Sequence, residues 1–225
     1  SQGVNIRYAQ ISSFTGPVMS KELIGGVDFS SGLIAIIRSK TTDEGRKFAQ
    51  AFVDAGVDLI EFTTTTPGAF DLIQEFSGLK DVKIALGTAM SKDDVENGKK
   101  AGATIVISPH TSEEVIKATK SAGLISVPGV ATPTEIVDAL RYGADILKFF
   151  PASSLGVNYL KSVRDPFPGN TWMATGGIAL ADVDAWVKAG ISGFGLGGPL
   201  TSGGVGEIGQ RVKDFQKAIT SAKNS

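Results

Sequence analysis

The sequence predicts a single-domain α/β protein with the (β/α)8 fold, the TIM barrel. Eight short runs of apolar and β-branched residues recur along the chain, and segments with apolar residues at helical spacing separate them. Eight such units in roughly 190 residues lie near the lower end of the size range of this barrel. The predicted strands cover residues 33–38, 59–63, 82–86, 104–108, 124–128, 146–150, 171–175 and 193–197.

The segment before the first unit does not share the repeat. Residues 1–30 are predicted to form an N-terminal arm or cap, and residues 31–225 form the barrel. Within the arm, the apolar residues Leu23, Ile24 and Val27 are expected to form a short helix or strand that closes the bottom of the barrel.

The helical segments support the same register. An eighth helix is predicted over residues 208–219, after the last strand. Glycine stands where four of the earlier helices end, because the position after a helix often takes a positive φ; these residues are Gly56, Gly102, Gly143 and Gly190. A doubly wound open sheet uses the same alternation, but even spacing without a long insertion favours closure into a barrel.

Composition excludes several classes of function. Hydrophobic residues make up 42% of the 225 residues, and 22 Lys and Arg balance 23 Asp and Glu, so we expect a folded protein that does not bind nucleic acid. The chain has no cysteine and a single histidine, His110, so no metal site is expected. No apolar run is long enough to span a membrane, and residues 1–20 do not resemble a secretory signal, so a cytoplasmic protein is expected.

Three of the charged residues within or directly after the apolar strands are candidates for chemistry. They are Arg38 in strand one, Glu61 in strand two and Lys148 in strand six. In residues 146–150 both faces are apolar, so Lys148 has no polar side to occupy. Desolvation lowers the pKa of a buried lysine, and the resulting neutral amine is the nucleophile of Schiff-base chemistry. Strands two and six face each other across a (β/α)8 barrel, so Glu61 is available either as a proton carrier or as a structural ion-pair partner.

Two glycine-rich turns follow the last two strands. Thr175, Gly176 and Gly177 end strand seven, and residues 195–198 end strand eight. Phosphate-binding barrels use these two loops, where bare backbone N–H groups meet the anion. The alternative is that the glycines only allow tight turns.

Other polar residues near strand ends have less specific interpretations. The run Thr63 to Thr66 follows Glu61, and its hydroxyls could bind a polar substrate or cap the next helix. Thr88 ends strand three and could donate to a carboxylate. We interpret His110 as a surface-loop histidine, and both tryptophans as packing residues.

With these motifs the sequence resembles the class I aldolases that cleave 2-keto-3-deoxy-6-phosphogluconate (KDPG) and 4-hydroxy-2-oxoglutarate (KHG). The similarity covers about residues 30 to 222, and its most specific parts are the string around Lys148 and the loop 175–177. Matching segments are residues 34–38, 60–61, 66–67, 87–88, 107–110, 128–129, 132–135, 147–152, 165–168, 175–178 and 195–198.

The resemblance implies a metal-independent, cofactor-free lyase that forms pyruvate from a keto acid, usually as a homotrimer. Lys148 matches the Schiff-base lysine and Glu61 the general acid and base. The resemblance places further residues at the substrate: Arg38, Thr88, Pro109, Thr175, Gly176, Gly177, Gly197 and Gly198.

The chain departs from the family pattern at three places. Thr65 stands where some members carry an arginine, which leaves Arg38 alone to hold the carboxylate. Gly198 stands where some members have serine, and Pro199 after it has no N–H to donate, so a non-phosphorylated substrate is also considered. Residues 85–86 are larger than the residues that are common at these positions in the family, so we expect a narrower pocket where the pyruvate part of the substrate binds.

Two other functions use the same fold. A phosphate-binding isomerase, decarboxylase or synthase would use the glycine loops without Lys148 as nucleophile, and a non-catalytic oligomeric scaffold would use neither. The buried lysine and glutamate favour the aldolase, since a scaffold gains nothing from an unpaired interior amine.

Overall fold

The computed structural model describes residues 23–225, so the greater part of the predicted N-terminal arm lies outside the described residues. The described part is a parallel β-barrel surrounded by helices. Its strands are β1 (Leu23–Ile24), β2 (Val27–Asp28), β3 (Leu33–Ile37), β4 (Leu59–Thr63), β5 (Lys83–Gly87), β6 (Ile105–Ile107), β7 (Ile125–Val127), β8 (Gly129–Val130), β9 (Leu147–Phe149), β10 (Trp172–Thr175) and β11 (Gly193–Leu196).

The helices alternate with the strands as the sequence predicts. They are α1 (Thr42–Asp54), α2 (Ala69–Phe76), α3 (Lys92–Ala101), α4 (Glu113–Ser121), α5 (Pro133–Tyr142), α6 (Ala152–Leu155), α7 (Val157–Arg164), α8 (Val183–Lys188), α9 (Gly198–Thr201) and α10 (Val205–Lys223). The short helices α6 and α9 were not predicted. The glycines Gly56, Gly102, Gly143 and Gly190 all have φ between +80° and +112°, as expected of residues that end helices.

The (β/α)8 prediction is confirmed, with one irregularity in the fifth predicted strand. Parallel pairing runs through nine strands from β7 to β8 in the order β7-β6-β5-β4-β3-β11-β10-β9-β8. The two strands at the ends of this order are separated along the chain only by Pro128, which has no N–H. The predicted strand 124–128 corresponds to β7, which pairs with β6, and the chain continues beyond its predicted end as β8, which pairs with β9; the barrel therefore closes across Pro128.

Two separate groups of buried residues hold the barrel. The larger group lies between the strands and the helices and includes Phe52, Phe62 and Trp186, which agrees with the packing role expected of the tryptophan. The smaller group fills the lower interior. Val27 and Phe29 belong to it, so the β1–β2 hairpin closes the bottom of the barrel with a strand rather than a helix.

Alternation along the strands determines which side chains enter the barrel. In β9, Leu147 and Phe149 pack outward in the larger group, while Ile146, just before the strand, belongs to the interior group. Lys148 therefore points inward, above the apolar lower interior. This arrangement places the polar part of the interior at the carboxyl ends of the strands, where barrels of this kind bind their ligands.

Candidate active site

Lys148 is the buried amine of the upper barrel. It lies in the middle of β9 and is only 5% exposed, and its Nζ is 5.1 Å from the centre of the Phe150 ring. Burial is the main cause that lowers the pKa of Lys148, and the Arg38 charge lowers it further, while Glu61 acts in the opposite direction. A lysine in this environment loses its proton more easily than one in water, which favours nucleophilic attack.

Glu61 is the buried acid on the opposite side of the interior. It lies in β4 and is 1% exposed, and its Oε2 has no hydrogen-bond partner among residues 23–225. Burial raises the pKa of this carboxyl, and the charges of Lys148 and Arg38 act against that increase. A raised pKa suits a group that must both accept and return a proton near neutral pH.

The two groups interact without forming a contact ion pair. Each shifts the pKa of the other, yet no ion pair within 4.0 Å joins Glu61 and Lys148 among the ion pairs of residues 23–225. The structural ion pair considered from the sequence is therefore not formed. A nucleophile and a proton carrier that face one interior and remain unpaired can both act on a bound carbonyl compound.

Gly87 provides the space that the Glu61 side chain occupies. A Cβ atom on Gly87 would lie 2.6 Å from both Cγ and Cδ of Glu61 and would overlap Oε1. Gly87 is the last residue of the neighbouring strand β5 and is buried. Only glycine at this position leaves the carboxylate where it is, so Gly87 is part of the site although its own atoms carry no chemistry.

Arg38 follows β3 at the rim of the barrel and is exposed. Its Nη1 donates to Thr65 Oγ1 at 2.7 Å, and its Nη2 makes a longer contact of 3.4 Å to Thr88 Oγ1. Thr88 has φ +56°, a left-handed conformation that is unusual for a β-branched residue and typical of functional sites. The structure thus brings together the two residues that the sequence assigned to a substrate carboxylate.

The threonine run is a network of hydroxyls rather than a helix cap. Helix α2 begins after Gly68, which offers no side-chain cap. Thr63 and Thr66 donate to Ile37 O at 3.0 and 3.2 Å, and Thr64 donates to Thr88 O at 2.8 Å. Of the two roles considered from the sequence, capping of the next helix is therefore wrong.

The glycine loops after β10 and β11 lie side by side, because these strands pair. Gly176 and Gly177 have φ of +108° and +67°, which side chains rarely adopt, and a Cβ on Gly177 would overlap Ser153 Oγ. Gly197 precedes α9 and Gly198 begins it, with no atom within 4 Å of a Cβ built on Gly198. Backbone is thus exposed in both loops, as an anion site requires.

The second glycine-rich segment begins later than the sequence suggested. Gly195 and Leu196 lie inside β11 rather than in a turn. A Cβ on Gly195 would lie 2.5 Å from Thr175 Oγ1, a buried hydroxyl that has no hydrogen-bond partner within the described part of the chain. Gly195 therefore makes room for Thr175, and the turn itself starts at Gly197.

Pro109 and His110 follow β6, on the other side of the site from the glycine loops after β10 and β11. A Cβ on Gly129 would lie 2.4 Å from the Pro109 carbonyl carbon and 2.9 Å from His110 N, and Gly129 pairs in register with Lys148. This close approach brings Pro109 to the lysine side of the barrel. His110 lies in a loop, as the sequence predicts, but it is partly buried, and its Nδ1 has no hydrogen-bond partner among the described residues.

Sequence reasoning did not assign three residues that shape the site. Phe150 could have been found, since it lies two residues after Lys148 and therefore on the same face. An inward glycine inside a strand is also a signal, and it marks Gly87 and Gly195. What each glycine makes room for depends on the neighbouring strand, which only the structure shows.

Comparisons with known proteins show which family the chain belongs to. The model of the family "Aldolase: KDPG and KHG aldolase" matches residues 29–205. The 2-dehydro-3-deoxy-6-phosphogalactonate aldolase of Escherichia coli K12 is 33% identical over 196 residues, which are 84% of this chain and 95% of that protein.

Solved structures give the same result. A structure titled "Native KDPGal structure" is 32% identical with a TM-score of 0.79, and the alignment covers 86% of this chain and 96% of that one. A cube-shaped protein cage designed by fusing symmetric oligomeric domains is also 32% identical, with a TM-score of 0.81 over 86% of this chain and 73% of that one. The chain therefore belongs to the KDPG and KHG aldolase family and is an aldehyde-lyase.

Proposed function

We propose that this protein cleaves a 2-keto-3-deoxy-6-phospho sugar acid to pyruvate and glyceraldehyde 3-phosphate through a Schiff base on Lys148. The observation that carries the proposal is the pair of buried groups in one interior, the amine of Lys148 and the unpartnered carboxyl of Glu61. An isomerase or synthase that only held a phosphate would gain nothing from this amine.

The reaction follows from the two groups. The neutral amine of Lys148 attacks the C2 carbonyl, and the carbinolamine loses water to give a protonated imine. This imine accepts the electron pair of the C3–C4 bond while the C4 hydroxyl loses its proton, so the aldehyde leaves and an enamine remains. Protonation of the enamine at C3 and addition of water release pyruvate and restore the amine.

Glu61 carries the protons between these steps. Its raised pKa lets it give a proton to the leaving hydroxyl of the carbinolamine and take one from the C4 hydroxyl. Because its Oε2 has no hydrogen-bond partner in the part of the chain that the structure describes, this oxygen is available to substrate or water.

The remaining residues bind the two ends of the substrate. Arg38 and Thr88 are proposed for the carboxylate, since both present donors at one rim of the barrel. Thr175 and Pro109 are proposed to line the middle of the substrate. The proposed phosphate cradle consists of backbone at Gly176, Gly177, Gly197 and Gly198.

The relatives suggest the first substrate to test. Phosphogalactonate and phosphogluconate acids differ in configuration at C4, and the relative and the solved structure above carry the galactonate name. We propose 2-keto-3-deoxy-6-phosphogalactonate first and the gluconate epimer second. Cleavage of the shorter 4-hydroxy-2-oxoglutarate to pyruvate and glyoxylate is proposed as a side activity.

The quaternary state and location are proposed by analogy. A homotrimer is proposed from the family resemblance, and the designed cage, built by fusing symmetric oligomeric domains, supports an oligomer; light scattering of the purified protein would test the trimer. No helix among residues 23–225 is long and apolar enough to cross a membrane. Cytoplasm is the proposed location.

Trapping with borohydride tests the mechanism. The protein is incubated with pyruvate, reduced, and analysed by mass spectrometry and peptide mapping. We expect one added carboxyethyl group on Lys148 and none in Lys148→Ala. An adduct that persists in the variant would disprove the mechanism. Pyruvate release from the two phosphorylated epimers and from their non-phosphorylated forms then assigns the substrate.

A further inference from the structure

Arg38 is the only charged side chain proposed for the substrate carboxylate, and it lies on the exposed rim of the barrel. An exposed arginine usually samples many rotamers, so a binding role requires something that holds it. The structure provides one short contact, between Arg38 Nη1 and Thr65 Oγ1 at 2.7 Å. Thr65 is the residue that stands where some members of the family carry an arginine.

The hydroxyl of Thr65 has a defined direction. A guanidinium can only donate, so Thr65 Oγ1 accepts from Arg38 and is free to direct its own hydrogen elsewhere. Thr63 Oγ1 lies 3.0 Å away and is fully buried. Thr63 in turn donates to Ile37 O at 3.0 Å. The hydrogen bonds therefore run from Arg38 through two threonines to the carbonyl of the residue that precedes Arg38.

This relay anchors an exposed side chain to the buried end of β3. Thr63 also contacts Thr66 Oγ1 at 3.2 Å, and Thr66 accepts from Ser39 N at 3.2 Å. The residues on both sides of Arg38 are thus bonded to the threonine run. Thr65 accepts from one guanidinium N–H and Thr88 Oγ1 makes the longer 3.4 Å contact with a second, which leaves three of the five N–H groups for a contact with a carboxylate.

We propose that Thr65 is a positioning residue that orients Arg38 toward the substrate carboxylate and takes the place of a second cation. The proposal rests on the proposed function, in which Arg38 binds that carboxylate. Thr65 itself does not contact substrate. The adjacent Thr64 has a similar role, because its Oγ1 donates to Thr88 O at 2.8 Å and so holds Thr88, the other residue proposed to bind the carboxylate.

The test is a set of variants at residue 65. Thr65→Val keeps the shape and removes the hydroxyl, Thr65→Ser keeps the hydroxyl, and Thr65→Ala is a second deletion that does not depend on how valine packs. Because Thr65 is exposed, all three are expected to fold, which thermal unfolding checks. Thr42→Val is the control, since it deletes a different hydrogen-bonded threonine hydroxyl, one that donates to Pro67 O at 2.8 Å and does not contact Arg38.

We expect Thr65→Val and Thr65→Ala to raise KM for the keto acid about tenfold and to change kcat by less than about twofold, because carboxylate binding acts on ground and transition states alike. Thr65→Ser and Thr42→Val should keep the wild-type KM. In an Arg38→Ala background, Thr65→Val should have no further effect, since a positioning residue acts only through the residue that it positions.

Borohydride labelling with pyruvate distinguishes a failure of the proposed function from a failure of the positioning role of Thr65. The pyruvate concentration that gives half-maximal borohydride labelling should also rise about tenfold in Thr65→Val. If the wild-type protein is not labelled at all, the proposed function is wrong. If the wild type is labelled and Thr65→Val behaves like it, or if the loss persists undiminished in the Arg38→Ala background, the positioning role is wrong.

Discussion

Replacement of Gly87 by alanine tests whether the position of the Glu61 carboxylate controls catalysis. The added Cβ would lie 2.6 Å from Cγ and Cδ of Glu61, whereas ordinary contact begins at 3.4 Å. The side chain must therefore retreat by about 0.8 Å, and more at Oε1, if the strands do not move. A displacement of about 1 Å at a reacting group can reduce the rate on the order of 100-fold.

We expect Gly87→Ala to reduce kcat for pyruvate release about 100-fold. Overpacking of a buried site of this kind destabilises a protein by about 1–3 kcal/mol, which corresponds to a decrease in Tm of roughly 2–12 °C for a chain of this size. The protein should remain folded, and borohydride labelling by saturating pyruvate should persist, since the amine of Lys148 is not touched. The assay couples pyruvate to a dehydrogenase and follows NADH.

Two controls separate displacement of the carboxylate from general disturbance. Gly98→Ala places a Cβ 2.8 Å from Leu86 Cδ2, close to the same strand but away from the carboxylate, and should keep the wild-type kcat. In a Glu61→Gln background, Gly87→Ala should change kcat by less than about twofold, because the proton carrier is already absent. A Gly87→Ala protein with wild-type kcat would refute the reasoning.

Three further predictions concern pH and the phosphate end. Burial lowers the pKa of Lys148 below its usual 10.5, so the free energy of unfolding of the wild type should increase as pH rises from the lowered pKa toward 10.5. Lys148→Met has no charge to bury and should be more stable than the wild type at lower pH. Urea unfolding should show that this difference in stability decreases over the same pH range. Gly198→Ser has open space for its side chain and should lower KM for the phosphorylated substrate about tenfold without affecting the non-phosphorylated acid. Gly177→Ala should raise KM for the phosphorylated substrate at least about tenfold, whereas Gly123→Ala, at a similar φ of +75° away from the site, should lower stability alone.

Alternation was the most informative property of the sequence. The repeat of apolar runs and helical segments predicted eight strand units, and the apolar residues on both faces of residues 146–150 predicted that Lys148 is buried. The facing positions of strands two and six in the barrel then placed Glu61 and Lys148 in one interior. The division of the fifth strand at Pro128 could also have been anticipated, since proline cannot donate to a ladder.

Features that depend on two neighbouring strands could not be predicted in this way. Nothing in β5 alone shows that Gly87 borders a carboxylate, because the carboxylate comes from β4. In the same way, Thr65 gains a role only when the end of β4 lies beside the end of β3. The order of the strands makes these residues neighbours, but distances between side chains decide which of them touch.

The closure of the barrel at Pro128 has a consequence for dynamics. Lys148 N donates to Pro128 O at 3.0 Å, so the amide of the proposed Schiff-base lysine makes one of the hydrogen bonds that close the ring of strands. Local opening at this seam would admit water to the amine, and water stabilises its charged form. The rate of amide hydrogen exchange at residue 148 therefore measures how often the barrel opens locally at this seam and, with it, how often water reaches the amine.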